Sequence, residues 1–131
     1  MDNFIKKETV RMYDVDAQGV VHYASYYRFF TNTLEEYAKA NFEGLLSEMS
    51  NDTWFVTVES KATYHKPVRL GDTLEIHMNA KIVSKSAVRF DFRVFKGETL
   101  TAEGYITQVC IDPKVWKPKP IPESLVKKIG N

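Results

Sequence analysis

The sequence lacks the features that would place it in several large classes of protein. It contains a single cysteine, Cys110, so no intramolecular disulfide can form, and we expect a cytoplasmic location. No apolar run approaches the roughly 18 residues of a membrane-spanning helix, and the stretch MDNFIKKETV has no signal-peptide pattern. A formal net charge of +1 provides no long-range field for nucleic acid or an anionic membrane. An anionic ligand would therefore have to be bound by local groups.

Metal and nucleotide motifs are missing as well. Three scattered histidines and one cysteine give no metal-ligand spacing, so we expect no metal and no other cofactor. The chain has no phosphate-binding motif GxxxxGK[ST], no dinucleotide motif GxGxxG and no nucleophile motif GxSxG. Cys110 lies in the apolar run YITQVCI and is predicted to be a small buried hydrophobe. His65 and His77 are predicted to be ordinary strand residues.

One long aromatic helix and several alternating segments make up most of the sequence. Apolar residues at steps of three and four predict a helix from Val21 to about Leu46, with Gly44 as its end signal. Pro122 opens a short terminal helix over residues 122–129. Strands are predicted by alternation or by enrichment in β-formers over residues 4–13, 53–65, 73–83, 86–95 and 99–112.

This element order constrains the fold. One helix cannot cover both faces of a five-stranded sheet, so the sheet must curl around the helix or the uncovered face must meet another subunit. We expect both. The predicted fold class is α+β, with a single domain over residues 1–131 in which a curled five-stranded antiparallel sheet wraps around one long helix.

The stretch YDVDAQGVVHYASYYRFF, residues 13–30, is the candidate site. The first backbone N–H groups of a helix have no intrahelical partners and carry partial positive charge, so they can stabilise a carbonyl oxygen that gains negative charge. Gly19 allows close backbone approach, and Asp16 could act as a nucleophile or as the base for water. The alternative is structural, because an aspartate in front of a helix often caps it or forms a turn.

The same stretch resembles the entry motif of hotdog-fold acyl-CoA thioesterases of the 4-hydroxybenzoyl-CoA thioesterase family, in particular the type found with the Tol–Pal system. The similarity continues through HKPVRLGDTLEI and the tail IPESLVKKI, so it covers nearly the whole chain. The motif residues that match are Asp14, Asp16, Gly19, Val20, Val21, His22, Tyr23, Tyr26 and Phe29.

The resemblance implies hydrolysis of an acyl-CoA or acyl carrier protein thioester in a homodimer or homotetramer, with the site at a subunit interface. Asp16 takes the place of the catalytic aspartate, and the Tyr23 backbone N–H polarises the thioester carbonyl; Asp14 is structural. The family's basic cluster for the nucleotide is reduced to Lys85, with Arg89, Lys61 and Arg69 as possible replacements. The predicted substrate-binding residues are Tyr13, Gly19, Val20, His22, Tyr26, Lys85 and Arg89.

Two other functions stay open. A hotdog hydratase or dehydratase would use His22 with Asp16, and a non-catalytic acyl-binding or assembly protein would use the aromatic helix and the sheet only to hold an acyl chain or a partner. Asp16 discriminates hydrolysis from mere binding, because a binder needs no carboxylate beside the carbonyl, whereas hydrolysis does. The aromatic lining suits an aryl acyl group or a short to medium chain, and the sequence does not separate the two.

Overall fold

The structure is a computed structural model that describes residues 4–42 and 52–130. The strands form one antiparallel sheet in the order β1-β3-β4-β5-β2, and β6 pairs with the end of β5. The elements in chain order are β1 (Phe4–Thr9), a short 3-10 helix (Met12–Asp14), α1 (Tyr23–Phe42), β2 (Trp54–Tyr64), β3 (Thr73–Ile82), β4 (Ala87–Lys96), β5 (Thr99–Asp112), β6 (Lys117–Pro118) and α2 (Glu123–Ile129).

The α+β class and the antiparallel sheet are confirmed, but the count of five strands is wrong. A sixth strand, β6, has two residues and pairs with Ile111 and Asp112. The β4–β5 ladder stops where Ala87 meets Val109, so this side of β5 stays open for the returning chain. No helix in the described part of the chain is long and apolar enough to cross a membrane.

Two predicted boundaries shift because backbone groups find other partners. The first strand ends at Thr9 instead of residue 13, because Met12–Asp14 close into a 3-10 helix. The long helix begins at Tyr23 instead of Val21, because Val21 pairs with Val15 in an isolated antiparallel bridge and its N–H donates to the Val68 carbonyl (2.8 Å). The predicted end of the helix around Gly44 and Leu46 lies outside the described residues.

The sheet wraps around α1, which contacts strands at both edges of the sheet. Aromatic pairs link the helix to three strands: Tyr37 meets Phe4 of β1 (5.5 Å between ring centroids), Phe30 stacks on Phe92 of β4 (4.5 Å), and Tyr26 meets Tyr64 of β2 (5.1 Å). Phe29 and Phe30 are fully buried. The predicted alternation in β3 and β4 is confirmed, with Leu74, Ile76, Met78, Val88, Phe90, Phe92 and Val94 all buried.

Gly104 of β5 allows Phe30 to lie directly on the sheet. A Cβ at this position would overlap the carbonyl oxygen of Lys61 on β2 and would come within 2.9 Å of the Phe30 ring. The close packing of helix on sheet therefore depends on the missing side chain.

We expect Gly104→Ala to lower the free energy of unfolding by about 2 kcal/mol, because the added methyl overfills the core and pushes β2 away from β5. Urea denaturation followed by circular dichroism measures the change. Gly97→Ala is the matched control, since Gly97 has open space around its Cβ position and only its φ of 61° opposes a side chain. A loss for Gly104→Ala no larger than that of the control would contradict the packing argument.

Candidate active site

The loop before α1 is a tight turn that docks on the connection between β2 and β3. Asp16 and Val20 pair through the Asp16 N–H (3.0 Å), and the Gly19 N–H donates to the Asp16 carbonyl (3.0 Å). Gly19 has a φ of 75°, a left-handed conformation that suits glycine. The Leu70 N–H donates to the Gly19 carbonyl (3.0 Å), which holds the turn against the neighbouring connection.

Asp16 is exposed, and the two oxygens of its carboxylate have different surroundings. Oδ1 accepts the backbone N–H groups of Gln18 (2.9 Å) and Val20 (3.3 Å), which makes the side chain part of the turn. Within residues 4–42 and 52–130, Oδ2 accepts no hydrogen bond. One oxygen therefore orients the carboxylate, and the other is free to face a ligand.

Asp14 is fully buried and joins the 3-10 helix to α1. Arg28 donates from Nε to Oδ1 (2.8 Å) and from a terminal nitrogen to Oδ2 (2.6 Å), and the Arg11 N–H donates to Oδ2 (2.8 Å). Burial raises the pKa of Asp14, but the hydrogen bonds from Arg28 and Arg11 outweigh burial and hold the pKa below its usual value. These contacts agree with the structural role predicted for Asp14.

Neither aspartate side chain caps α1, so the first turn of the helix keeps free donors. Tyr23 is the first helical residue, and neither its N–H nor that of Ala24 donates to any acceptor in the described part of the chain. Such N–H groups carry the positive end of the helix dipole. They can bind a carbonyl oxygen and stabilise it as it becomes negative.

The His22 side chain contacts the 3-10 helix and the first turn of α1. Its Nε2 lies 3.3 Å from the Tyr13 carbonyl oxygen and 3.3 Å from Ser25 Oγ. Ser25 Oγ in turn donates to the Asp14 carbonyl (3.2 Å). The imidazole thus ties the 3-10 helix to the helix start. The Tyr13 ring is largely exposed and lies under the Arg28 guanidinium, 5.0 Å from the ring centroid.

A cavity of about 310 Å³ opens at the start of α1. Tyr64 donates from its hydroxyl to the Tyr23 carbonyl (3.4 Å) and so bridges the two sides of the cavity. Burial, together with the neighbouring Tyr64, raises the pKa of Tyr26 to about 12, so this phenol is neutral at physiological pH. The lining residues are Val20, Val21, Tyr23 and Tyr26 on the helix side and Tyr64, His65, Lys66 and Pro67 on the side of β2.

The structure brings only some of the predicted site residues together. Val20, Tyr23 and Tyr26 line the cavity, and Asp16 and Gly19 belong to the turn that carries Val20. Arg89 instead lines a second cavity of about 300 Å³ on the outer face of the sheet, and Lys85 lines a third beside Pro118 and Pro120. Alternation along β4 explains the separation, because Arg89 points away from the helix.

The far wall of the cavity, residues 64–67, was missed by the sequence analysis. His65 lies one residue beyond β2, and its Nε2 is 2.7 Å from Oε2 of Glu103 on β5. Pro67 could have indicated this wall, because polar residues between a strand and a proline are typical of the end of a strand. Arg69 also adjoins the loop, because it pairs with Val20 across an isolated bridge.

Cys110 has the buried surroundings that the sequence predicts. Cys110 is fully buried, and burial raises the pKa of its thiol above its usual value. Among the described residues, no group of three or more His, Cys, Asp or Glu side chains is placed to hold a metal ion.

Comparison with known proteins identifies the class and then the family. The chain is 32% identical over 129 residues to the acyl-CoA thioester hydrolase YbgC of Escherichia coli, with 96% of each chain covered. The crystal structure of Slr0204, a 1,4-dihydroxy-2-naphthoyl-CoA thioesterase from Synechocystis, has a TM-score of 0.91 at 22% identity and covers 97% of this chain and 95% of that chain. Staphylococcus aureus SAV2348, solved in complex with CoA, has a TM-score of 0.87 at 19% identity and covers 97% of this chain and 81% of that chain.

The class that these structures define is the hotdog fold. A family model described as the Thioesterase-like superfamily matches residues 10–129, and the chain belongs to this superfamily. The resemblance predicted from the sequence is confirmed.

Proposed function

We propose that this protein hydrolyses an acyl-CoA thioester to the free acid and CoA. The observation that carries the proposal is the Asp16 carboxylate, oriented through one oxygen and open at the other, on the turn that leads into the free N–H groups of Tyr23 and Ala24. The 310 Å³ cavity beside them offers room for an acyl group. Relatives named as an acyl-CoA thioester hydrolase and as a 1,4-dihydroxy-2-naphthoyl-CoA hydrolase support the same chemistry.

In this proposal the thioester carbonyl oxygen points at the start of α1. The Tyr23 N–H donates to it, and the hydrogen bond strengthens as the oxygen becomes an oxyanion in the tetrahedral intermediate. No side chain has to move for this, because the amides are fixed by the helix. The dipole of α1 adds to the stabilisation.

Asp16 supplies the second part of the chemistry, by one of two routes. As a general base, its free oxygen takes a proton from the attacking water; as a nucleophile, it forms a mixed anhydride that water then opens. A single turnover in heavy-oxygen water tests the nucleophilic route, because heavy oxygen enters the Asp16 carboxylate only when water opens an anhydride at the aspartyl carbonyl.

We also propose that the protein works in the cytoplasm as a homodimer or homotetramer of one-domain subunits. β2 supports this assembly, since it is an 11-residue edge strand that is mostly exposed, and a long open edge is a template for pairing with another strand. Joining two β2 edges would bring two copies together near their cavities. Lys85 and Arg89 remain proposed contacts for the CoA phosphates, in a site shared between copies, with Arg69 beside the loop as a third cation.

The test is thiol release from a panel of CoA thioesters, from acetyl to palmitoyl and including aromatic acyl groups, with acyl carrier protein thioesters as a second set. We expect turnover that depends on the acyl group, with no added metal or cofactor. Tight binding of an acyl-CoA without release of thiol would instead support an acyl-binding protein. The hydratase alternative has less support, because His22 is turned towards Tyr13 and Ser25.

A further inference from the structure

We propose that Tyr64 is a positioning residue for the oxyanion: its hydroxyl polarises the Tyr23–Ala24 peptide group and so makes the Ala24 N–H a second, stronger donor to the thioester carbonyl. This inference rests on the proposed thioester hydrolysis and deepens it. The entry motif does not contain Tyr64, which lies 41 residues beyond the carbonyl to which it donates.

The side chain of Tyr64 faces the start of α1. Its hydroxyl donates to the Tyr23 carbonyl (3.4 Å), and its ring lies against the Tyr26 ring, with 5.1 Å between the centroids. Tyr26 is buried and packs edge-on against Phe29, so its ring is a fixed support. Two contacts therefore hold Tyr64 at the helix start, one through its ring and one through its oxygen.

The hydrogen bond from Tyr64 acts on the same peptide group that carries one of the two free donors. The Tyr23 carbonyl and the Ala24 N–H belong to that group, and amide resonance couples its two ends. A proton donor on the carbonyl oxygen draws electron density from the nitrogen and makes the N–H a better donor. The Ala24 N–H has no acceptor within residues 4–42 and 52–130, so a ligand can use this gain.

The preceding peptide group, which carries the Tyr23 N–H, is polarised by the backbone alone. Its carbonyl belongs to His22 and accepts the Ser25 N–H (3.1 Å). The Tyr23 carbonyl has room for two donors, one from inside the helix and one from outside. Tyr64 supplies the outside donor from the end of β2, so the second oxyanion donor is strengthened by a different element of the fold.

Tyr64 keeps the proton that this role requires. Burial raises the pKa of its phenol, and the nearby phenols of Tyr27 and Tyr23 raise that pKa further. A neutral phenol donates a hydrogen bond, whereas a phenolate would repel an oxyanion. No proton is transferred in the proposed role, because Tyr64 acts only through the Tyr23–Ala24 peptide group.

Tyr64→Phe tests the role of the hydroxyl, because it keeps the ring. One oxyanion donor contributes about 100-fold to 1000-fold to kcat, and polarisation changes the strength of a hydrogen bond by roughly 10–30%. We therefore expect kcat for the best CoA thioester to fall about fivefold, with KM unchanged because the gain arises in the transition state. Initial rates of thiol release measure both constants.

Tyr105→Phe is the matched control. The Tyr105 hydroxyl also donates to another residue, Glu59 (3.0 Å), but Tyr105 is not among the residues that line the cavity. The control should keep wild-type kcat. A loss for Tyr64→Phe above about 50-fold would mean that the hydroxyl donates to the oxyanion itself, and would overturn the positioning role.

Replacement of Tyr64 by 3-fluorotyrosine separates polarisation from structural support. Fluorine makes the phenol a stronger donor, while the ring and the hydroxyl both remain. We expect kcat to rise about twofold above the wild type. If Tyr64 only supported the helix start, a stronger donor would give no gain, so a kcat at or below the wild-type value would contradict the inference.

An infrared measurement reads the same effect without turnover. The probe is an acyl-CoA analogue in which a methylene group replaces the sulfur, so the bound molecule is a ketone that cannot be hydrolysed. Stronger hydrogen bonds to its oxygen lower the carbonyl stretching frequency. We expect the frequency to be highest in Tyr64→Phe, lower in the wild type and Tyr105→Phe, and lowest in the fluorinated variant.

The carbonyl frequency decides the inference. An unchanged frequency in Tyr64→Phe would overturn it whatever the rates, because the oxygen would then not sense the Tyr64 hydroxyl. Failure of the wild type on every CoA and carrier-protein thioester would instead refute the proposed function. The two failures are distinguishable, since one is read on the bound ketone and the other on thiol release.

Discussion

Asp16→Asn is expected to lower kcat for the best CoA thioester by about a thousandfold while the fold stays intact. The amide oxygen of asparagine can still accept the Gln18 and Val20 N–H groups, so the turn is preserved. The neutral amide is neither a base nor a nucleophile, so both routes open to Asp16 are closed. Initial rates of thiol release give the kinetic effect, and the thermal midpoint shows whether the variant is folded.

Asp112→Asn is the matched control for this prediction. Asp112 also accepts a backbone N–H two residues further along the chain, that of Lys114 (2.9 Å), at the far end of β5. The control should keep wild-type kcat, because Asp112 resembles Asp16 only in accepting a backbone N–H in a turn. Turnover of Asp16→Asn within tenfold of the wild type would remove Asp16 from the mechanism.

Asp14→Asn is expected to have the largest effect on stability, lowering the free energy of unfolding by about 3 kcal/mol. The substitution leaves the half-buried Arg28 guanidinium without its bidentate carboxylate partner. It also weakens the link between the 3-10 helix and α1. Urea denaturation at neutral pH measures the loss.

The control for Asp14 is an ion pair that is only partly buried. Asp91 contacts Arg89 (3.0 Å) and Lys81 (3.8 Å) on the solvent-facing side of the sheet, so Asp91→Asn should cost no more than about 1 kcal/mol. Equal losses for the two variants would show that burial of the Asp14 carboxylate contributes nothing.

The pH dependence of stability gives an independent test of Asp14, using the wild type and Asp14→Asn. Because the folded-state pKa of Asp14 lies below its usual 3.8, its carboxylate contributes stability that is fully present above pH 3.8. That contribution is lost as the pH falls through the lowered value. The difference in stability between the wild type and Asp14→Asn should therefore shrink on acidification below pH 3.8, and a constant difference would contradict the assignment.

The sheet was predictable because its signal is local. A two-residue alternation sets which side chains of β3 and β4 face the helix, and each strand carries that information by itself. β6 carries no such signal, since it consists of Lys117 and a proline. It forms because β4 begins only at Ala87 and leaves one side of β5 open beyond Val109, which is a property of the assembled sheet.

The candidate site, like the sheet, has a part that local sequence predicts and a part that depends on the assembled fold. The motif locates Asp16 and the helix start, because both lie within one short stretch of chain. It cannot assign separate tasks to the two oxygens of Asp16, nor pair Asp14 with an arginine 14 residues further on. The wall that contains His65 could not be predicted from local sequence. Its backbone is held by the Thr101 carbonyl, which lies beside it only because β2 pairs with β5.

The bonds from His65 and Lys66 to Thr101 also govern when the cavity can form during synthesis. The Asp16 turn and α1 leave the ribosome early, together with the residues of the far wall, but Thr101 is made some 35 residues after that wall. Until β5 emerges and pairs with β2, the nascent chain has the carboxylate and the helix start but no enclosed space beside them. The protein therefore gains its binding site only near the end of translation, and products that terminate before β5 lack the pocket although they carry the whole entry motif.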